Sequence, residues 1–464
     1  MRKTTLAVLS IFVVVMLLQF ACRKVDSLTP VDNPDSEWLS GGSQTAFDQG
    51  SGAFSHAFSS LPANLERIHE IGDAQFNATF VSAPAPLNPG LGPIFNNVSC
   101  GSCHVSDGRG KVPGLGESAA NMLFRLSIPG EGEHGNPVPV PGYGDQLQTR
   151  ALFGKQREGD VTITYTETGY KFADGTSYSL RAPTYTFNSL YMTMPGNVLL
   201  SPRVAAPVFG LGLLEAIDEN TILTNADPDD KDGDGISGKA NIVWDVYSQK
   251  KVLGRFGWKA NQPNLLQQVA AAYNGDIGIT TFLFPKESSE GQTQFDSAPN
   301  SKGYELSDSL LYSTHFYVRT LAVPVRRNVT DSKVVEGKAL FTSAGCIKCH
   351  KADMRTGVDV TLPQVSNQLI HPYTDLLLHD MGTGLADNRP DFLAGGTEWR
   401  TAPLWGIGLT QKVNGHTNFL HDGRARNLME AIMWHGGEAL SAKNKVNNMS
   451  QKQRDALISF VESL

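Results

Sequence analysis

The sequence predicts a mainly α-helical chain of two like domains, each built around a Cys-x-x-Cys-His segment, the first enlarged by an insertion that carries a β-hairpin. Three observations lead there. The segment occurs twice, in "SCGSCHVSDGR" ending at Arg109 and "GCIKCHKADMR" ending at Arg355. Helical stretches accompany the second copy, "DSKVVEGKALFTSAGC" before it and "RDALISFVESL" at the end of the chain. Between the copies, "VTITYTETGYKFADGTSYSL" alternates β-formers on both sides of Asp174-Gly175, the pattern of a strand pair with a tight turn.

The elements follow in order. Residues 1–22, "MRKTTLAVLSIFVVVMLLQFAC", join two positive charges to an apolar run from Leu6 to Leu18 and end at Ala21-Cys22. That run is short for a membrane span and is followed by the polar "RKVDS", so it reads as an export signal. Cys22 stands where bacterial lipoproteins carry their lipid, although Gln19 and Phe20 replace the small residues usual before it. The chain is therefore expected on the periplasmic side, anchored to a bacterial membrane through Cys22. Residues 23–45 are polar, with Pro and Gly, and read as a flexible tether.

The first domain is expected over 46–325 and the second over 326–464. In the first, "QPNLLQQVAAAYNGDIG" suggests a helix stopped near Asn274-Gly275. In the second, Ser450 and Gln453 have capping-box spacing before a helix whose apolar face is Leu457, Phe460, Val461 and Leu464. With 464 residues, 40% of them hydrophobic, the chain has material for sizeable cores. A net charge of -7 without any Lys/Arg-rich block argues against nucleic acid as a partner.

Cysteine spacing carries the chemistry. Apart from Cys22, the cysteines form two pairs, Cys100/Cys103 and Cys346/Cys349. Pairs alone leave disulfides or a zinc site open. The histidine directly after each pair, His104 and His350, decides for c-type haem: both thiols add to the vinyl groups of one haem while the adjacent imidazole reaches its iron. Two haem c groups are expected, one per domain. The likeness extends further, with Phe95 and Phe341 each five residues before the first cysteine, and Asp107/Arg109 matched by Asp353/Arg355 after the histidine. A duplicated cytochrome c-like unit explains this.

At this point the residues suggest a family. "GLGPIFNNVSCGSCHVSDGRG", "YGDQLQTRALFG", "FGLGLLEAI", "DPDDKDGDGISGKAN", "GRFGWKANQPNLLQQ", "DLLLHDMGTGLAD" and "WRTAPLWGIGL…FLHDGRARNLMEAI" occur in that order over residues 65–464. The chain resembles the di-haem thiol oxidoreductases, also described as di-haem peroxidases, which are similar to the bacterial di-haem cytochrome c peroxidases. The resemblance implies a division of labour: one haem with two strong protein ligands takes electrons from a small redox protein, and another, open on one side, reduces hydrogen peroxide or a related small acceptor. It also implies Met381 as sixth ligand of the second haem, with Met354 as rival and His379 and His421 nearby. For the first haem, Met122, Met192, Met194, His134 and Tyr143 are unranked candidates, and an open position there locates catalysis.

Three further features are weighed. Glu215 lies in an apolar run, where a carboxylate is either paired, capping or catalytic, and it is the candidate for proton exchange with peroxide. Asp230, Asp232 and Asp234 with Gly235 open like a calcium loop, but Asn241 stands at the twelfth position where a bidentate glutamate belongs. Trp258 is a candidate bridge between the haems, with Trp399 and Trp405 as alternatives. Other functions compatible with these features are a non-enzymatic electron relay and oxidation of thiols or protein side chains.

Overall fold

Two glycines set how the helices behind the Cys-x-x-Cys-His segments pack. The computed structural model describes residues 37–464 apart from 115–116, 118–121, 291 and 293–302. Cys22, the signal and the tether up to residue 36 lie outside the described residues. The helices that matter below are α1 (Ala63–Phe76), α2 (Leu211–Glu215), α3 (Leu265–Ala272), α4 (Asp308–Thr320), α5 (Ser332–Ala344), α6 (Leu428–Trp434) and α7 (Gln451–Ser463). Helix α1 packs on α4 and α5 packs on α7. A Cβ on Gly72 of α1 would lie 2.1 Å from the Ser313 carbonyl oxygen, and one on Gly337 of α5 would lie 2.0 Å from that of Ala456. Only glycine lets these backbones touch.

One turn beyond each glycine a phenylalanine meets the histidine of a Cys-x-x-Cys-His segment. Phe76 lies 6.0 Å from the His104 ring and 5.3 Å from Tyr317, while Phe341 lies 6.1 Å from His350 and 5.1 Å from Phe460. The two segments thus share one kind of helical backing, but in a different register from the one spacing suggested. Phe76 is the counterpart of Phe341, whereas Phe95 sits in a short strand paired with Arg150.

The expectation of a mainly α-helical chain is corrected. The protein is 28% helical and 19% strand, and its strands fall into seven two-stranded sheets among the described residues. The 46 glycines and 25 prolines account for this, since both interrupt helices and leave β-forming stretches to pair locally. Strand β1 (Met122–Ser127) pairs antiparallel with Leu199–Val204, and the long hairpin joins β2 (Asp160–Lys171) to β3 (Ser177–Asn188) around Asp174-Gly175. The hairpin's base contributes Val161 and Ile163 to a core with Met122 and Phe124.

Its tip reaches much further along the chain. Phe172 and Leu180 are buried with residues of α5, α6 and α7. Arg454 of α7 lies 3.8 Å over the Phe172 ring and 2.9 Å from Asp174, and the Ala173 N–H donates to the Asn447 carbonyl. Packing therefore crosses residue 325, and the described residues belong to one compact unit. Residues 37–45 are packed as well: Ser40, Gln44 and Thr45 are buried, and Thr45–Ala46 runs parallel to Val323–Pro324. The capping box at Ser450/Gln453 is present. No helix among the described residues is long and apolar enough to cross a membrane.

Candidate functional site

Each Cys-x-x-Cys-His segment opens on its own cavity. Helix α5 ends at Gly345, whose φ of 96° is a left-handed cap that lets Cys346–Lys348 coil into a 3-10 turn. The His350 N–H then donates to the Cys346 carbonyl at 3.0 Å, as the His104 N–H does to Cys100 at 2.9 Å. This tight turn brings both thiols and the imidazole to one wall. Cys100, Cys103 and His104 line a cavity of about 1930 Å³ including its mouth, and Cys346, Cys349 and His350 line one of about 1650 Å³.

The chemistry of these groups suits haem. None of the four cysteines is in a disulfide. Burial pushes the Cys100 and Cys346 thiols up to about 12 and Cys103 to about 11, so they are not the activated thiolates of a redox dithiol. His104 Nδ1 donates to the Ala206 carbonyl at 2.7 Å and His350 Nδ1 to that of Tyr373 at 2.9 Å. Each imidazole thereby keeps its lone pair on Nε2, and burial holds both down at about 4, neutral and ready to bind iron.

The two cavities share a wall. Arg109, Trp258, Arg400, Ala402, Pro403 and Ile407 line both. Trp258 Nε1–H donates to the Val204 carbonyl at 2.9 Å, the Arg109 guanidinium lies 5.2 Å over its ring, and the Arg400 N–H donates to its carbonyl at 2.9 Å. Arg109 is buried and Arg400 half-buried, and desolvation brings both down to about 10. Neither is within ion-pair distance of a carboxylate among the described residues. Their side chains donate to the Leu420 carbonyl and to those of Gly257 and Thr401, which leaves their charge unneutralised, and haem propionates would supply the anion. Residues and cavities therefore fit one haem on each side of the wall.

Residues 36–464 match the family described as "Di-haem oxidoreductase, putative peroxidase". The chain belongs to the di-haem oxidoreductase family. No curated protein matches it. Among solved structures, a chain of Kuenenia stuttgartiensis hydrazine synthase pressurised with 20 bar xenon is similar at 19% identity, over 36% of this chain and 58% of that one, with a TM-score of 0.23. This di-haem oxidoreductase thus spans little more than half of that neighbour, and a likeness so weak carries no argument.

The residues singled out from sequence are distributed unevenly about the two cavities. Met381, His379 and His421 line the second one. His379 offers iron no lone pair: Nδ1 lies 2.7 Å from Glu438 and Nε2 2.8 Å from Asp375, and although burial works against its charge, these carboxylates carry it up to about 12. His421 stacks 3.7 Å from Trp399, and burial holds it at about 4. Met354 is core, 3% exposed, and lines neither cavity. Met122, Met192, Met194, His134 and Tyr143 also line neither.

Glu215 is not brought to a cavity. Ending α2, it holds Arg319 Nε at 2.7 Å and accepts from the Leu265 N–H at 2.8 Å, which ties it to the start of α3. The run that made it conspicuous is apolar because α2 is buried, and the carboxylate is paired there. In the acidic loop, Asp227, Asp230 and Asp232 converge, with oxygens within 4.8 Å of one another, while Asp234 turns to Lys348 at 2.8 Å. Asn241 is buried, donating to the Lys259 and Asp391 carbonyls, and takes no part in the loop.

Two residues at the cavities were not legible beforehand. Asp276, the sole carboxylate among the described lining residues of the first cavity, accepts from Gln146 Nε2 at 2.8 Å, and burial raises it. It sits in the π turn Tyr273–Ile277 that continues α3, in the "YNGDIG" that reads simply as a helix stop. His435 lines the second cavity three residues beyond Ile432, where the matched stretch "FLHDGRARNLMEAI" ends. A histidine directly after a helix and before Gly436-Gly437 was the available signal.

Proposed function

We propose that the chain is a c-type di-haem oxidoreductase in which electrons arrive at the His350 site, cross the shared wall and serve the reduction of hydrogen peroxide or a related small acceptor in the His104 cavity. The observation that carries this is the asymmetry of the cavities. Besides its Cys-x-x-Cys-His segment the lining of the second includes further iron-binding side chains, Met381 and His435, whereas the described lining of the first contains no methionine and no histidine but His104. Haem bound at both segments through thioethers would supply one-electron transfer and, where a coordination position stays open, peroxide activation.

The chain's own side chains account for the rest. Trp258 and Arg109 fill the wall that separates the two sites, placing a polarizable ring and a fixed charge between them. Asp276, raised by burial, is the group that would exchange a proton in the first cavity, the role the sequence suggested for Glu215. Asn261, Gln262 and Gln268 add neutral hydrogen-bonding side chains to the same lining. Calcium would bind at Asp227, Asp230 and Asp232, next to the second site through Asp234 and Lys348. The electron donor would be a small redox protein outside the cytoplasm, in keeping with the export signal and lipidation read at Cys22.

The test is peroxide consumption by the haem-loaded chain with a reduced small redox protein. Turnover is expected, and Trp258→Leu should slow it while both haems stay attached. No consumption with any reduced donor, together with two six-coordinate haems in every redox state, would leave an electron relay in its place.

A further inference from the structure

We propose that His435 Nε2, and not the Met381 thioether, is the sixth ligand of the iron at the His350 site. The inference rests on haem being bound there, and it concerns which residue closes the site.

His435 is built as a ligand would be. It caps α6, its N–H donating to the Ile432 carbonyl, and its ring Nδ1 lies 2.7 Å from the Ala431 carbonyl. A carbonyl can only accept, so Nδ1 carries the proton and the lone pair is on Nε2. The same backbone-carbonyl anchoring orients His350 through Tyr373 and His104 through Ala206. Such an outer hydrogen bond is the usual means of fixing a metal-binding imidazole's tautomer and ring plane. Of the described residues of the cavity, the two other histidines besides His350 are not held this way: His379 has both nitrogens occupied by carboxylates, and His421 is stacked on Trp399 beside Asp422.

Position agrees with this assignment. His435 lines the same cavity as His350. Met381 belongs to the same wall, since a Cβ on Gly436 would lie 2.9 Å from its carbonyl oxygen. Both side chains thus stand beside one another in the lining as donors to the iron at His350. Met381 is held through its backbone N–H, which donates to the Thr397 carbonyl, and among the described residues no hydrogen bond anchors its thioether, which has three side-chain torsions. A pre-oriented imidazole, a good ligand for iron, outcompetes a thioether that must be ordered on binding.

Consequences are readable without turnover. The haem-loaded chain should show the near-infrared magnetic circular dichroism of bis-imidazole iron and lack the methionine-to-iron charge-transfer band. Met381→Ala should leave that spectrum unchanged. His435→Gly should lose the bis-imidazole signal, and added imidazole should restore it. His435→Met, which keeps a donor at the same place, should gain the methionine band. A methionine band in the wild type that disappears in Met381→Ala, with both haems still covalently attached by mass, overturns this assignment and leaves the di-haem reading standing. Fewer than two attached haems overturns both.

Discussion

Glu158 should make the stability of this protein fall as pH rises. It is 0% exposed, accepts from the Gln148 N–H at 2.6 Å and from Gln292 Nε2 at 2.5 Å, and makes no ion pair among the described residues. Burial carries it from the ordinary 4.5 to about 8. Between those values the folded chain holds a proton that the unfolded chain has released. Its contribution is therefore fully present below 4.5 and lost as pH rises through about 8. At ~1.4 kcal/mol per pH unit, the full swing is roughly 5 kcal/mol. Glu158→Gln removes the ionisation and leaves one donor facing an amide N–H, a mismatch of about 1 kcal/mol. Denaturant unfolding should find the variant slightly less stable than wild type near pH ~4.5, and more stable by roughly 4 kcal/mol near pH ~9. A stability difference that does not change with pH refutes the reasoning.

Three other outcomes are expected. Gly337→Val forces α5 away from the Ala456 carbonyl and should destabilise the protein by about 3 kcal/mol or more, read from the thermal midpoint; an unchanged midpoint would mean the crossing is looser than 2.0 Å implies. Asp276→Asn should lower peroxide turnover by about 100-fold while leaving both haem spectra intact, and retention of full rate would remove it from proton exchange. Calcium should raise the thermal midpoint of the wild type but not of Asp230→Ala, and an equal response in both would place any bound calcium elsewhere.

Much of the site was legible because its chemistry lies in local spacing. Cys-x-x-Cys-His dictates a turn that puts two thiols and an imidazole on one wall, and both copies form it. The hairpin around Asp174-Gly175 was legible for the same reason, being a contact between neighbours in sequence. What failed depended on distant partners. Glu215 stood out in an apolar run, but its meaning is set by Arg319 and Leu265, more than 40 residues away. The Phe95/Phe341 match was a coincidence of spacing, because the equivalence follows the glycine crossings at Gly72 and Gly337 and not the distance to the cysteine. The mainly α expectation gave the glycine-rich connections too little weight, and these pair as small ribbons. His435 was passed over because its role appears only when α6 is set beside the His350 cavity.

The asymmetry of the two sites is tested most directly by electron paramagnetic resonance of the oxidised, haem-loaded chain. One high-spin and one low-spin ferric signal are predicted, with the high-spin signal changed by hydrogen peroxide and missing from the Cys100→Ala/Cys103→Ala variant. Two low-spin signals, or a high-spin signal that survives in that variant, would contradict an open site at His104.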